Sequence, residues 1–149
     1  MKRIITLLVV IGMLGLVIME CPTEAAKAQK IVYVTPLLTM SPDWSHMGDM
    51  FLQRCKEVGY ECTWVGPNEI KVEEMVADIE TAIAEKADGI VTCPLVPEAF
   101  KDVLSKAKAA GIPVVNTMAD CCEESRLAFI GTDYKNLGTA FAEVLIKKT

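Results

Sequence analysis

The sequence predicts an α/β fold: an open, mostly parallel five-stranded sheet with helices on both faces. Three observations lead there. Short apolar runs begin near residues 31, 61, 89 and 114, and steps of about thirty residues match one strand–helix–strand unit. The runs are continuously apolar rather than alternating, as strands are when helices cover both sheet faces. Between them, apolar residues recur at helical spacing.

The first strand is Ile31-Val32-Tyr33-Val34, closed by Thr35-Pro36. Met47, Phe51, Cys55 and Val58 then mark one face of a helix that Gly59 ends. Cys62-Thr63-Trp64-Val65 is the second strand, stopped by Gly66-Pro67. Val72, Met75, Val76, Ile79 and Ile83 form the stripe of a second helix, and Gly89-Ile90-Val91-Thr92 is the third strand. Phe100, Val103, Leu104, Ala107 and Ala110 face one way on a third helix, ended by Gly111; Pro113-Val114-Val115 follows as the fourth strand. The link onward to a fifth strand, Leu127–Ile130, is too short for a helix, and this strand is expected at a sheet edge. A last helix carries Leu137, Ala140, Phe141, Val144 and Leu145 on its apolar face.

Before this pattern stands a targeting segment. Lys2 and Arg3 precede the uncharged run Ile4–Met19, and Ala26-Lys27-Ala28 supplies a small-x-small site. That is the order of a secretory signal peptide, with cleavage expected after Ala28. The apolar run is shorter than the roughly twenty residues that span a bilayer. An uncleaved anchor is the bland alternative, and a lipoprotein through Cys21 is disfavoured by Glu20 before it. Residues 29–149 are then one domain. The chain of 149 residues has 15 basic and 20 acidic side chains and a net charge of −5. Without a basic patch, nucleic acid is excluded as a partner.

Ligands of open parallel sheets bind beyond the carboxyl ends of the strands, where the strand order switches. Those ends carry Thr35–Leu38, Thr92-Cys93-Pro94, Asn116–Asp120 and Gly131-Thr132-Asp133. No G-x-G-x-x-G or Walker lysine loop follows a strand, which disfavours dinucleotide and nucleoside-triphosphate sites. A G-x-S-x-G elbow is also missing, against a serine hydrolase. Five cysteines follow the signal segment: Cys55, Cys62, Cys93, Cys121 and Cys122. Their spacing, with His46 the single histidine, argues against a structural metal.

Four stretches are similar to those of the periplasmic sugar-binding proteins of ABC transporters, in the ribose-binding and lactose-repressor superfamily. Lys30-Ile-Val-Tyr-Val-Thr-Pro resembles the first strand of that family, and Ala87-Asp-Gly-Ile-Val through Pro94 resembles its third. Ala110-Gly-Ile-Pro-Val-Val matches a family segment almost letter for letter, and Phe129-Ile-Gly-Thr-Asp133 with Gly138 resembles another. The likeness covers about residues 30–148. It implies a Rossmann-like lobe, a second similar lobe, a hinge, and a sugar or polyol held in the cleft for a membrane permease, without a cofactor and without catalysis. The sequence departs from the pattern by stopping at Thr149, where such proteins cross into the second lobe. The export signal suits a solute-binding protein in the periplasm or outside the cell. Two rivals are an extracellular sensing lobe of a signalling receptor and an enzyme on a flavodoxin-like sheet. Thr35–Leu38 lacks the acidic cluster that a receiver domain carries there.

The ligand-binding candidates are Trp44, Asp43, Thr92, Asn116, Asp120 and Asp133. The resemblance implies that Trp44 stacks on the sugar ring; the alternative is a Trp packed on its own protein. Asp43 accepts hydroxyls or, the favoured reading, caps the first helix. The resemblance places a polar contact in the Asn116–Asp120 loop, although Met118 stands where a polar residue is expected. Asp133 is foremost a cap of the last helix. His46 is foremost a surface residue. Adjacent Cys121 and Cys122 are expected to bond each other only with difficulty, leaving a disulfide from Cys93 to either, or three free thiols.

Overall fold

A computed structural model describes residues 28–38 and 41–147. The segment expected to be a signal peptide, apart from Ala28, therefore lies outside the described residues. Five strands form one parallel sheet: β1 (Lys30–Val34), β2 (Glu61–Val65), β3 (Gly89–Thr92), β4 (Val114–Thr117) and β5 (Ala128–Ile130). Four helices connect and follow them: α1 (Pro42–Val58), α2 (Val72–Ala84), α3 (Pro97–Ala109) and α4 (Tyr134–Ile146). A single 3-10 turn, Glu123–Ser125, bridges β4 to β5. The strand order is β2-β1-β3-β4-β5, with β5 at an edge as expected.

That order explains the layering. Parallel crossovers are right-handed. The first steps outward from β1 to β2, and the next two step the other way, to β3 and β4. Hence α1 covers one face, and α2 and α3 cover the opposite one. The larger core lies under α2 and α3. It joins Val32, Val34, Ile90 and Val114 of the sheet to Met75, Ile79, Ala82, Phe100, Val103, Leu104 and Ala107. On the α1 face Tyr33 and Phe51 meet edge to face, with ring centroids 5.2 Å apart.

Two helices end as their glycines predict. Gly59 and Gly111 both have φ 75°. At the first, the Gly59 amide bonds the Lys56 carbonyl and the Tyr60 amide the Cys55 carbonyl; Gly111 and Ile112 repeat the pattern on Lys108 and Ala107. These paired bonds are a Schellman cap, which needs the left-handed residue.

Three expectations are corrected here. Val58 is exposed, not part of the helix face that packs. Cys55, read as a core position, is buried but is bonded to Cys62, with Cα atoms 6.0 Å apart. The Gly59 turn folds the chain back so that the start of β2 passes the last turn of α1. The last helix forms, yet none of its residues is buried: Phe141 is 61% exposed and Leu145 69%. Its apolar stripe has no cover among the described residues.

The Cys55–Cys62 bridge closes a loop with a sequence separation of 7. By chain entropy a loop this short contributes about 2 kcal/mol. The double replacement Cys55→Ala/Cys62→Ala is therefore expected to lower unfolding stability by that amount in urea melts. An unchanged midpoint would mean that the bridge constrains nothing.

Candidate functional site

The strand order switches between β1 and β3, so the crevice lies beyond their carboxyl ends. The β1 end is buried and hydrogen-bonded. Thr35 is fully buried, its amide bonds the Val65 carbonyl at 3.0 Å, and its hydroxyl accepts from Trp64 Nε1 at 2.9 Å. Trp64 was not among the sequence candidates; an indole at the end of an apolar strand reads as core.

The structure brings Thr92, Asn116 and Asp120 together. Thr92 and Asn116 are register partners on β3 and β4, so their side chains share a sheet face. Both are fully buried, and Thr92 Oγ1 and Asn116 Oδ1 lack a hydrogen-bond partner among the described residues. Asn116 Nδ2 donates to the Cys121 carbonyl at 2.9 Å and to Asp120 Oδ1 at 3.2 Å. Arg126, which sequence reasoning missed, clamps Asp120 with two bonds of 2.7 and 2.9 Å. Desolvation raises the Asp120 pKa, but the hydrogen bonds from Arg126 and Asn116 and the Arg126 charge outweigh it and hold the carboxyl below its ordinary value. Such a group adds stability above its unfolded pKa and loses it as pH falls through the lower folded value. The pair is partly exposed, so the effect is screened.

The loop between these groups is bent. Met118 has φ 59° and Cys122 φ 53°, the left-handed region that non-glycine residues seldom adopt. The Met118 amide is tied to the Ile130 carbonyl at 3.2 Å, and its side chain is exposed.

The other candidates make no hydrogen bond to this cluster among the described residues. Asp43 is exposed in the first turn of α1 and is not its cap: the helix starts at Pro42, with Ser41 in the cap position. Proline at the first helical position sets the backbone angle without losing a bond. Trp44 is only 9% exposed, packed on the protein. His46 is exposed. Asp133 caps α4, accepting the Asn136 amide at 3.0 Å and the Asn136 side chain at 2.7 Å. Cys93, Cys121 and Cys122 are free thiols, so the Cys93 disulfide does not form. Burial pushes the Cys93 thiol up, outweighing the hydrogen bond from the Ala119 amide.

Residues 23–149 match the family described as the periplasmic binding protein domain. The chain belongs to this periplasmic binding protein family. Solved structures agree on the fold of this periplasmic binding protein domain. GanP, a glucose–galactose binding protein from Geobacillus stearothermophilus, is 27% identical with a TM-score of 0.72, covering 82% of this chain and 43% of GanP. A periplasmic sugar binding protein of an ABC sugar transporter from Legionella pneumophila is 23% identical with a TM-score of 0.74, covering 81% and 45%. XylFII, solved in complex with LytSN, is 26% identical with a TM-score of 0.73, covering 81% and 44%. The chain thus spans less than half the length of these neighbours and forms one lobe of such a protein. No curated protein matches it.

Proposed function

We propose that this chain is the lobe of an exported solute-binding protein that captures a sugar or polyol for an ABC-type importer and hands it to a membrane permease. It catalyses nothing. The observation that carries the reading is the family match over residues 23–149, and the likeness to the glucose–galactose binding protein narrows the ligand class. Removal of residues 1–28 on export, leaving Gln29 first, belongs to the same reading.

The carboxyl-end cluster suits a ligand rich in hydroxyls. Asp120 is held ionised and oriented by Arg126, with 34% of its side chain exposed, and an ionised carboxylate accepts strong hydrogen bonds from hydroxyls. Asp43 adds a second exposed carboxylate at the start of α1. Thr92 and Asn116 act behind Asp120, shaping the loop. Trp44 and Asp133 are weaker contacts, the first being buried and the second occupied by Asn136.

One lobe supplies part of the contacts of a two-lobed cleft and leaves the sugar wet. Each missing hydrogen bond is worth roughly 0.5–1.5 kcal/mol, so several weaken binding by orders of magnitude. Titration with pentoses, hexoses and polyols is expected to give millimolar binding, with amide shifts concentrated at residues 35–38, 92–94 and 116–120. Shifts confined to the amino ends of the strands would overturn the site. Micromolar binding would overturn the half-site argument.

A sensing role is the second reading, in which a lobe of this kind passes ligand occupancy to a second protein; XylFII, of similar fold, is solved bound to one, LytSN. The coding sequence beyond Thr149 separates the two: a second lobe supports transport, and a membrane span followed by a kinase supports sensing.

A further inference from the structure

Cys121 and Cys122 stand out once the site is described, because the loop brings their sulfurs to 2.9 Å from each other. Adjacent side chains in extended backbone point to opposite sides. Here Cys122 is left-handed, with φ 53° and ψ 51°, where the chain turns into the 3-10 segment Glu123–Ser125. That turn swings the Cys122 sulfur onto the side of Cys121. The turn is anchored from three directions. The Asn116 amide group holds the Cys121 carbonyl, the Ser125 amide bonds the Cys122 carbonyl at 2.7 Å, and Lys108 Nζ donates to the Glu124 carbonyl. These bonds hold the backbone turn that sets the two cysteines side by side. Both residues are partly accessible, whereas Cys93 is fully buried. The same chain already carries the Cys55–Cys62 disulfide, the mark of a protein that meets oxidants.

We propose that Cys121 and Cys122 form a reversible vicinal disulfide, a redox-sensitive closure of the loop that follows β4. Closure runs by exchange with a disulfide oxidant, either a small-molecule or a protein disulfide. The Cys122 thiolate attacks one sulfur of the oxidant, forming a mixed disulfide and releasing one thiolate. Cys121 then gives up its proton and attacks the Cys122 sulfur, expelling the second thiolate. Two protein thiols are oxidised to one disulfide and one external disulfide is reduced to two thiols; the two protons given up by the cysteines are taken by the two expelled thiolates. Burial, then the hydrogen bond and charge of Cys122, push the Cys121 pKa up to about 12, so the two neighbouring thiols give up their protons one after the other.

The bond is expected to be labile. Neighbouring Cα atoms lie about 3.8 Å apart, below the roughly 4.4 Å where ordinary disulfides begin. Cys55 and Cys62, with Cα atoms 6.0 Å apart, sit inside that range. The vicinal pair therefore opens first as the surroundings become reducing.

The test uses the full chain expressed with its export signal, equilibrated in glutathione buffers of increasing oxidised fraction, quenched with acid, alkylated and digested with trypsin. Cys121 and Cys122 fall in one peptide, Ala109–Arg126. That peptide is expected to lose two hydrogen atoms in mass and both alkyl groups as the buffer is oxidised, at a more oxidising ratio than Cys55–Cys62, and Cys93→Ser is expected to leave this unchanged. Two alkylated thiols at every ratio would overturn the proposal. So would a stable glutathione adduct, a bridge to Cys93, or a dimer linked through this peptide.

Discussion

Replacing Phe100 with Ala is expected to remove about 3–5 kcal/mol of unfolding free energy. Phe100 is the largest fully buried side chain of the molecule as described. It lies on α3 in the core cluster that also holds the sheet residues Ile90 and Val114 and the α2 residues Met75 and Ile79. Truncation removes its transfer free energy and leaves a cavity that walls from two helices and a sheet fill only in part. Domains of this kind have total stabilities of about 5–15 kcal/mol, so the loss is a large fraction. Urea melts should show a lower midpoint with an unchanged slope. Phe141→Ala is the control. Its ring, on α4, is 61% exposed, and its loss should cost no more than about 0.5 kcal/mol. Equal losses at the two positions would mean that the apolar stripe of α4 is covered in solution and that the core is not confined to the α2–α3 face.

That contrast also marks how far the sequence reads. Periodicity identifies α3 and α4 equally well, because both carry apolar residues at helical spacing. It says that a helix has an apolar face, not what covers that face. Burial of Phe100 comes from the right-handed crossover that lays α3 on the sheet; α4 follows the last strand, and no described strand after it closes a further crossover. The alternation of strands and helices was legible for the same local reason; the edge position of β5 was expected and is observed, although spacing alone did not place it. Strand order was not legible, since it depends on the direction each crossover takes.

The site shows the same division. Asp120 and Asn116 were legible as polar residues at a strand end. The Arg126 clamp was not, because a salt bridge across a six-residue loop leaves no periodic signal. The start of α1 was misjudged: Asp43 was read as its cap, whereas Ser41 holds that position and Pro42 begins the helix. With Pro42 first in α1, Trp44 and Gly48 are four residues apart on one helical face, and both are buried. The Cys55–Cys62 bond was hidden because it depends on the Gly59 turn, which folds the strand back beside the helix.

Asn116→Asp tests the cluster at its centre, and its effect should depend on pH. Asn116 is fully buried, and its side-chain nitrogen donates to the Cys121 carbonyl and the Asp120 carboxylate. The replacement keeps the shape but turns that donor into an oxygen facing a carbonyl and an ionised carboxylate. A buried carboxylate there would be unpaired, which costs about 3–5 kcal/mol. The group escapes by holding its proton, so its folded pKa lies above the roughly 3.9 of the unfolded chain. The sign follows. Between those two values the folded state binds more protons than the unfolded state, so the variant loses stability relative to the parent as pH rises. It reaches the full penalty above the folded pKa. Asn116→Ala separates the charge from the lost bonds: it removes the amide donor and should cost about 1–3 kcal/mol with little dependence on pH. Urea midpoints of the parent and both variants at pH 5.5, 7 and 8.5 measure the difference directly. A flat offset for Asn116→Asp across that range would mean that the new carboxylate reaches water, and hence that position 116 opens to solvent instead of bracing the loop behind Asp120.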